Sequence, residues 1–112
     1  MDRQAIYDKV KHHLLVAQPR PALSGEGGYN YQNLAGDRCA IGCLIPDGHP
    51  GLNSEFRVRG LLSSYPDLGQ LWGVDTADIE FLEYLQAVHD SYLPLGWEAE
   101  LAYIAKKFRL NP

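Results

Sequence analysis

Prolines at positions 19, 21, 46, 50, 66 and 94 cut the chain into short segments through which no helix can run unbroken. Proline lacks the amide hydrogen of the helical ladder, and its ring collides with the preceding turn. Between these breaks, apolar residues recur at helical spacing. Asp2 is placed to cap a first helix reaching about Ala17, with Ile6, Val10, His13, Leu14 and Ala17 along one side before Pro19 and Pro21 stop it. Residues 18–28 hold two prolines and three glycines and read as a surface loop.

From Tyr29 to Ile45 the pattern changes. Tyr29, Tyr31 and the Cys-Ile-Cys-Ile series alternate with a period of two around Gly36 and Asp37, which predicts two short antiparallel strands. A helical turn near Gly42 is an alternative end to the second strand. Pro46 to Gly51 is a turn-rich connection. Asn53 or Ser54 is positioned to cap a helix to about Tyr65, with Val58, Leu61, Leu62 and Tyr65 inward and Phe56 pointing away.

After a short turn at residues 67–72, Asp75 or Thr76 is placed to cap the clearest helix. Phe81, Leu82, Leu85, Val88, His89 and Tyr92 share one arc, and Glu80, Glu83, Ala87, Asp90 and Ser91 the other. Pro94 and Gly96 precede a last helix with Trp97, Leu101, Ile104, Ala105 and Phe108 as its stripe. It ends in Lys106, Lys107 and Arg109, where a helix dipole favours cations. The expected fold is α+β, about four helices with a small antiparallel β-hairpin, as one domain over residues 1–112.

A chain of 112 residues, 46% apolar and 21% charged, can bury roughly two-thirds of its unfolded surface without help from a metal or disulfide. Cys39 and Cys43 are too few and too close for a secreted disulfide framework and read as reduced thiols. The start of the chain is charged from residue 2, and no stretch approaches the ~18 apolar residues of a membrane span. The expectation is a cytoplasmic protein with no membrane contact.

Charge placement narrows the partner. The net charge is −4, yet the eight acids between residues 60 and 105 face no Lys or Arg in that span, which leaves +4 elsewhere. Nucleic-acid phosphates require clustered cations, so direct nucleic-acid binding is disfavoured. A protein with a basic surface fits better.

Thiols, a carboxylate and an imidazole fall close together in Arg38–Asp47 and His49. Zinc takes four such ligands in a tetrahedron. Residues four apart on a strand stand about 13 Å apart, whereas on a helical turn they are neighbours, so only the helical geometry lets Cys39 and Cys43 share an ion. With His89 they form the metal-ligating candidates, zinc being the cofactor they could hold. The competing reading makes both thiols small buried hydrophobes beside Ala40, Ile41, Leu44 and Ile45.

A catalytic cysteine needs a depressed pKa and a base. His89 and Asp90 are adjacent, but neighbouring helical residues diverge by about 100°, which argues against an orienting pair. His12 and His13 diverge likewise. Gly25-Glu26-Gly27-Gly28 lacks the Lys-Ser/Thr of a phosphate loop, and no hydrolase elbow, zincin pair or dinucleotide fingerprint is present. No catalytic residue is assigned.

Two surface features suggest binding. Phe56 is flanked by Arg57 and Arg59, residue types enriched at interface hot spots. The acidic row Asp75, Asp78, Glu80, Glu83 and Asp90 could meet a basic groove, although acids near a helix start also serve the dipole. Phe56, Arg57, Arg59, Asp78, Glu80 and Glu83 are therefore the partner-binding candidates.

Arg38-Cys39-Ala40-Ile41-Gly42-Cys43-Leu44-Ile45-Pro46-Asp47, with Leu85-Gln86-Ala87-Val88-His89-Asp90 and then Trp97, Leu101 and Ala105, resembles small uncharacterised proteins frequent in phages and prophages. The likeness spans most of the chain and implies an accessory protein that acts by binding. The leading expectation is a protein-binding or inhibitor module aimed at a nucleic-acid-handling host defence protein. The alternative is a zinc-binding or cysteine-dependent enzyme centred on Cys39 and Cys43.

Overall fold

A computed structural model describes residues 1–22 and 30–112. Among the described residues five α-helices follow one another: α1 (Arg3–His12), α2 (Val58–Ser64), α3 (Pro66–Trp72), α4 (Ile79–Ser91) and α5 (Pro94–Lys107). The Gly25–Gly28 loop and the strand start at Tyr29 lie outside the described residues.

Local chemistry accounts for most helix ends. The Asp2 carboxylate accepts the Ala5 N–H at 2.8 Å and caps α1. After His12 the helix widens into one π turn, His13–Ala17, closed by Gln18 N–H to the His13 carbonyl at 2.8 Å. Before α4, Asp75 and Asp78 form a reciprocal capping box around the 3₁₀ turn Thr76–Asp78. Arg3 reaches across to Asp78 at 2.6 Å and stacks over Phe81 and Phe108, joining the start of α1 to the start of α4.

The expected hairpin does not form, and the fold is all-α. Among the described residues no strand is present; the pairing that survives is a single antiparallel bridge, Gln32 to Arg38, around a turn with Gly36 at φ 88°. The alternating run instead coils into a 3₁₀ turn, Ile41–Leu44. Its residues are apolar on successive positions because Cys39, Ala40, Ile41, Leu44 and Ile45 are all buried, and periodicity cannot separate a buried turn from a buried strand. Gly42 lets the turn pack: a Cβ there would stand 2.1 Å from the Tyr31 carbonyl oxygen.

Two further expectations shift. Asn53 closes a 3₁₀ turn, Pro50–Asn53, and α2 begins only at Val58. Residues 66–72 form α3 rather than a loose turn, because Pro66 occupies the first helical position, where its missing N–H is harmless. Gly73, at φ 67°, ends it.

One hydrophobic cluster joins α1, the Ile41–Leu44 turn and helices α2 to α5. Its aromatic polar atoms are satisfied: Tyr7 donates to the Leu101 carbonyl at 3.0 Å, Trp72 to Leu44 at 2.9 Å and Trp97 to Tyr92 at 3.0 Å. Among the described residues no helix is long and apolar enough to cross a membrane.

Candidate functional site

The segment before α2 and the outer face of α4 enclose a groove of about 500 Å³. Phe56 and Arg57 form one wall, Glu83 and Asp90 the other, and Tyr31 lies in the lining between them. The two surface features that the sequence presents separately therefore meet.

Each wall is held in place from beneath. Tyr31 is buried, and its hydroxyl donates to the Phe56 carbonyl at 2.6 Å. Burial pushes the Tyr31 pKa well up, which keeps the hydroxyl protonated as a donor. The Phe56 ring lies close to Gly60, where a Cβ would stand 3.3 Å from it, yet the side chain stays 47% exposed. Arg57 is exposed at the start of α2.

On α4, Gln86 bridges inward and outward. Its carbonyl oxygen accepts the Ile41 N–H at 2.9 Å, and its amide donates to both oxygens of Asp90 at 3.3 and 3.2 Å. This fixes the Asp90 carboxylate at the groove wall. Glu55 and Glu83 complete a lining with three carboxylates against Arg57, so the groove favours a cationic occupant.

The remaining binding candidates are placed differently. Asp78 is occupied by Arg3 and by the Asp75 N–H at 3.0 Å. Burial alone would raise its pKa, but these donors outweigh it and hold the carboxyl below its usual value. Arg59 and Glu80 are exposed and stand outside the groove lining. Tyr31, Glu55 and Gln86 were missed at the sequence level; only Gln86, four residues before Asp90, carried a visible helical pairing signal.

His89 and Asp90 do pair, against expectation. His89 Nε2 accepts the Ala22 N–H at 2.8 Å, so the ring proton sits on Nδ1 and is donated to Asp90 at 2.9 Å. The 100° offset separates the backbone vectors, but rotation about the side-chain bonds closes the gap. Both ring nitrogens are thereby engaged.

The thiols fill the interior. Cys39 is 2% exposed and its sulfur accepts the Gly42 N–H at 3.4 Å, while the half-buried Cys43 donates to the Ala40 carbonyl at 3.0 Å. Burial pushes Cys39 up to about 11 and Cys43 up to about 12, the wrong direction for a nucleophile. Among the described residues no group of three or more His, Cys, Asp or Glu side chains could hold an ion. His49 pairs with Asp67 at 2.7 Å and accepts the Gly51 N–H at 2.9 Å, while His12 is exposed. No family model, no curated protein and no solved structure matches the chain.

Proposed function

We propose that this chain is a phage-type accessory protein that works by binding another protein, with the Phe56–Asp90 groove as its contact surface. One observation carries the reading: an exposed aromatic and an arginine share a groove of about 500 Å³ with three carboxylates. Aromatic and arginine anchors ringed by polar groups are the residue types that dominate interface energies. The carboxylates select a basic segment and speed its approach.

The partner class follows from charge. A nucleic-acid-handling host protein, such as a defence nuclease, presents clustered cations for its own phosphate ligand. The acids between residues 60 and 105, a span with no Lys or Arg, include Glu83 and Asp90 at the groove and would compete for them. Inhibition by occupation of that basic surface is the corresponding mechanism.

The test is affinity purification from the native host, with the captured protein then purified and its affinity measured against variants. Phe56→Ser and the double reversal of Glu80 and Glu83 to Lys should each weaken capture, the reversal in a salt-dependent way. Glu80 lies outside the groove, so Glu83→Lys alone should account for most of the loss. Unchanged affinity in both Phe56→Ser and Glu83→Lys would remove the groove from the function.

A further inference from the structure

A second hollow, of about 480 Å³, lies between α4 and α5. Tyr84, Tyr92 and Tyr103 supply three rings to its wall, Ala87, Val88 and Ile104 its aliphatic part, and Glu100 is the charged residue in the lining. Small-molecule sites have this size and this make-up, mainly aromatic and apolar with few polar groups to fix orientation.

The position of these groups follows from the fold. Glu100 and Tyr103 are three apart on α5 and share a face. Tyr92 ends α4, and its carbonyl is tied to the buried Trp97 indole at 3.0 Å, which fixes the approach of the two helices. Tyr92 and Tyr103 are 45% and 53% exposed, so two aromatic rings are presented to solvent at the hollow.

Glu100 decides the ligand class. It is half-buried and makes no hydrogen bond or ion pair among the described residues, so its carboxylate is free to take a cation in the hollow as its partner. Aromatic faces also attract cations, and Tyr84 already does so, with Lys107 Nζ 5.2 Å from its ring centre. A bare ammonium is strongly hydrated and demands several acceptors. An alkylated one carries apolar groups that match the rings.

We propose that this hollow binds a small alkylated ammonium ion, its alkyl groups against Tyr92 and Tyr103 and its charge opposite Glu100. The hollow adjoins the protein-binding groove along Ala87 and Ser91 of α4, but Tyr92, Glu100 and Tyr103 line the hollow alone.

The test titrates the full chain with choline and, in parallel, with its uncharged carbon isostere dimethylbutanol at matched ionic strength. Tyrosine ring resonances are followed by NMR. Choline should shift Tyr92 and Tyr103 saturably and the isostere should not. Glu100→Gln and Tyr103→Leu should each weaken choline binding by about two- to five-fold. Equal response to the isostere would overturn the proposal, as would unchanged affinity in both variants. Tighter binding of a lysine-bearing peptide than of choline would also overturn it, by making the hollow part of a protein interface. Should a variant fail to fold, the comparison of choline with its isostere on the unaltered chain decides alone.

Discussion

The Nε2 of His89 accepts the backbone N–H of Ala22 at 2.8 Å, tying α4 to a residue 67 positions earlier in the chain. The ring stacks at a tilt on Trp97, 5.7 Å between centres, and is 9% exposed. Its work is structural: it satisfies a buried donor where the chain leaves α1.

Replacing His89 by Leu keeps the volume apolar but orphans that amide. A buried unsatisfied donor costs about 1–3 kcal/mol, and His89→Leu should lose that much in urea unfolding. His89→Gln retains an acceptor and should recover part of it. Equal stability of His89→Leu and the parent chain would show that the amide finds another partner.

Gly42→Ala should be among the most damaging single-methyl changes. The added carbon would meet the Tyr31 carbonyl oxygen at 2.1 Å, a backbone atom that cannot swing aside. Tyr31 also carries the bond to Phe56. Overpacking of this kind costs about 1–3 kcal/mol, occasionally more. The same substitution should loosen the groove, read as a shift of the Phe56 ring resonances.

Helices α1 and α4 were legible because a capping acid precedes a stripe: Asp2 with Ile6 and Val10, continued by Leu14 in the π turn, and Asp75, ahead of the 3₁₀ turn that leads into α4, with Phe81, Leu82 and Leu85. The stripe of Trp97, Leu101 and Ile104 revealed α5 without a cap, and the helix starts at Pro94 rather than after Gly96 because proline fits the first helical position. Pro66 misled, since a proline that ends one helix can equally begin the next. The Cys39–Ile45 run misled for a different reason: residues buried on every side carry no periodicity, so alternation there was accidental. In the groove, Phe56, Arg57 and Glu83 were visible as residue types. Their meeting depends on Tyr31 and Gln86, whose contacts span 25 and 45 positions and leave no local trace.

The thiols should react slowly and in a defined order. With Cys43 held up to about 12 by burial, its alkylation near pH 8 should run about 10³-fold slower than that of a free thiol with its usual pKa of about 8.5. Cys39 is almost fully covered and has to wait for an opening of the fold. Mild denaturant should therefore accelerate Cys39 far more than Cys43. Rapid labelling of Cys39 in buffer would place its sulfur at the surface.

Acid sensitivity should trace to His13. Its Nε2–H donates to the Arg38 carbonyl at 2.9 Å, which also accepts from Gln18 at 2.8 Å. Burial lowers its pKa; the carbonyl bond opposes this without overcoming it, and the nearby charges of His89, Arg38 and His12 lower it further. The unfolded chain therefore binds the proton more readily than the folded one once the pH drops below about 6.5, the ordinary histidine value. Stability from this group is complete above that pH and is lost as the pH falls through the lowered folded value. His13→Gln keeps an amide donor for Arg38 but cannot titrate. Its urea midpoint should fall less steeply than that of the parent chain between about pH 7 and pH 5. Identical slopes in the two proteins would assign the acid sensitivity to another group.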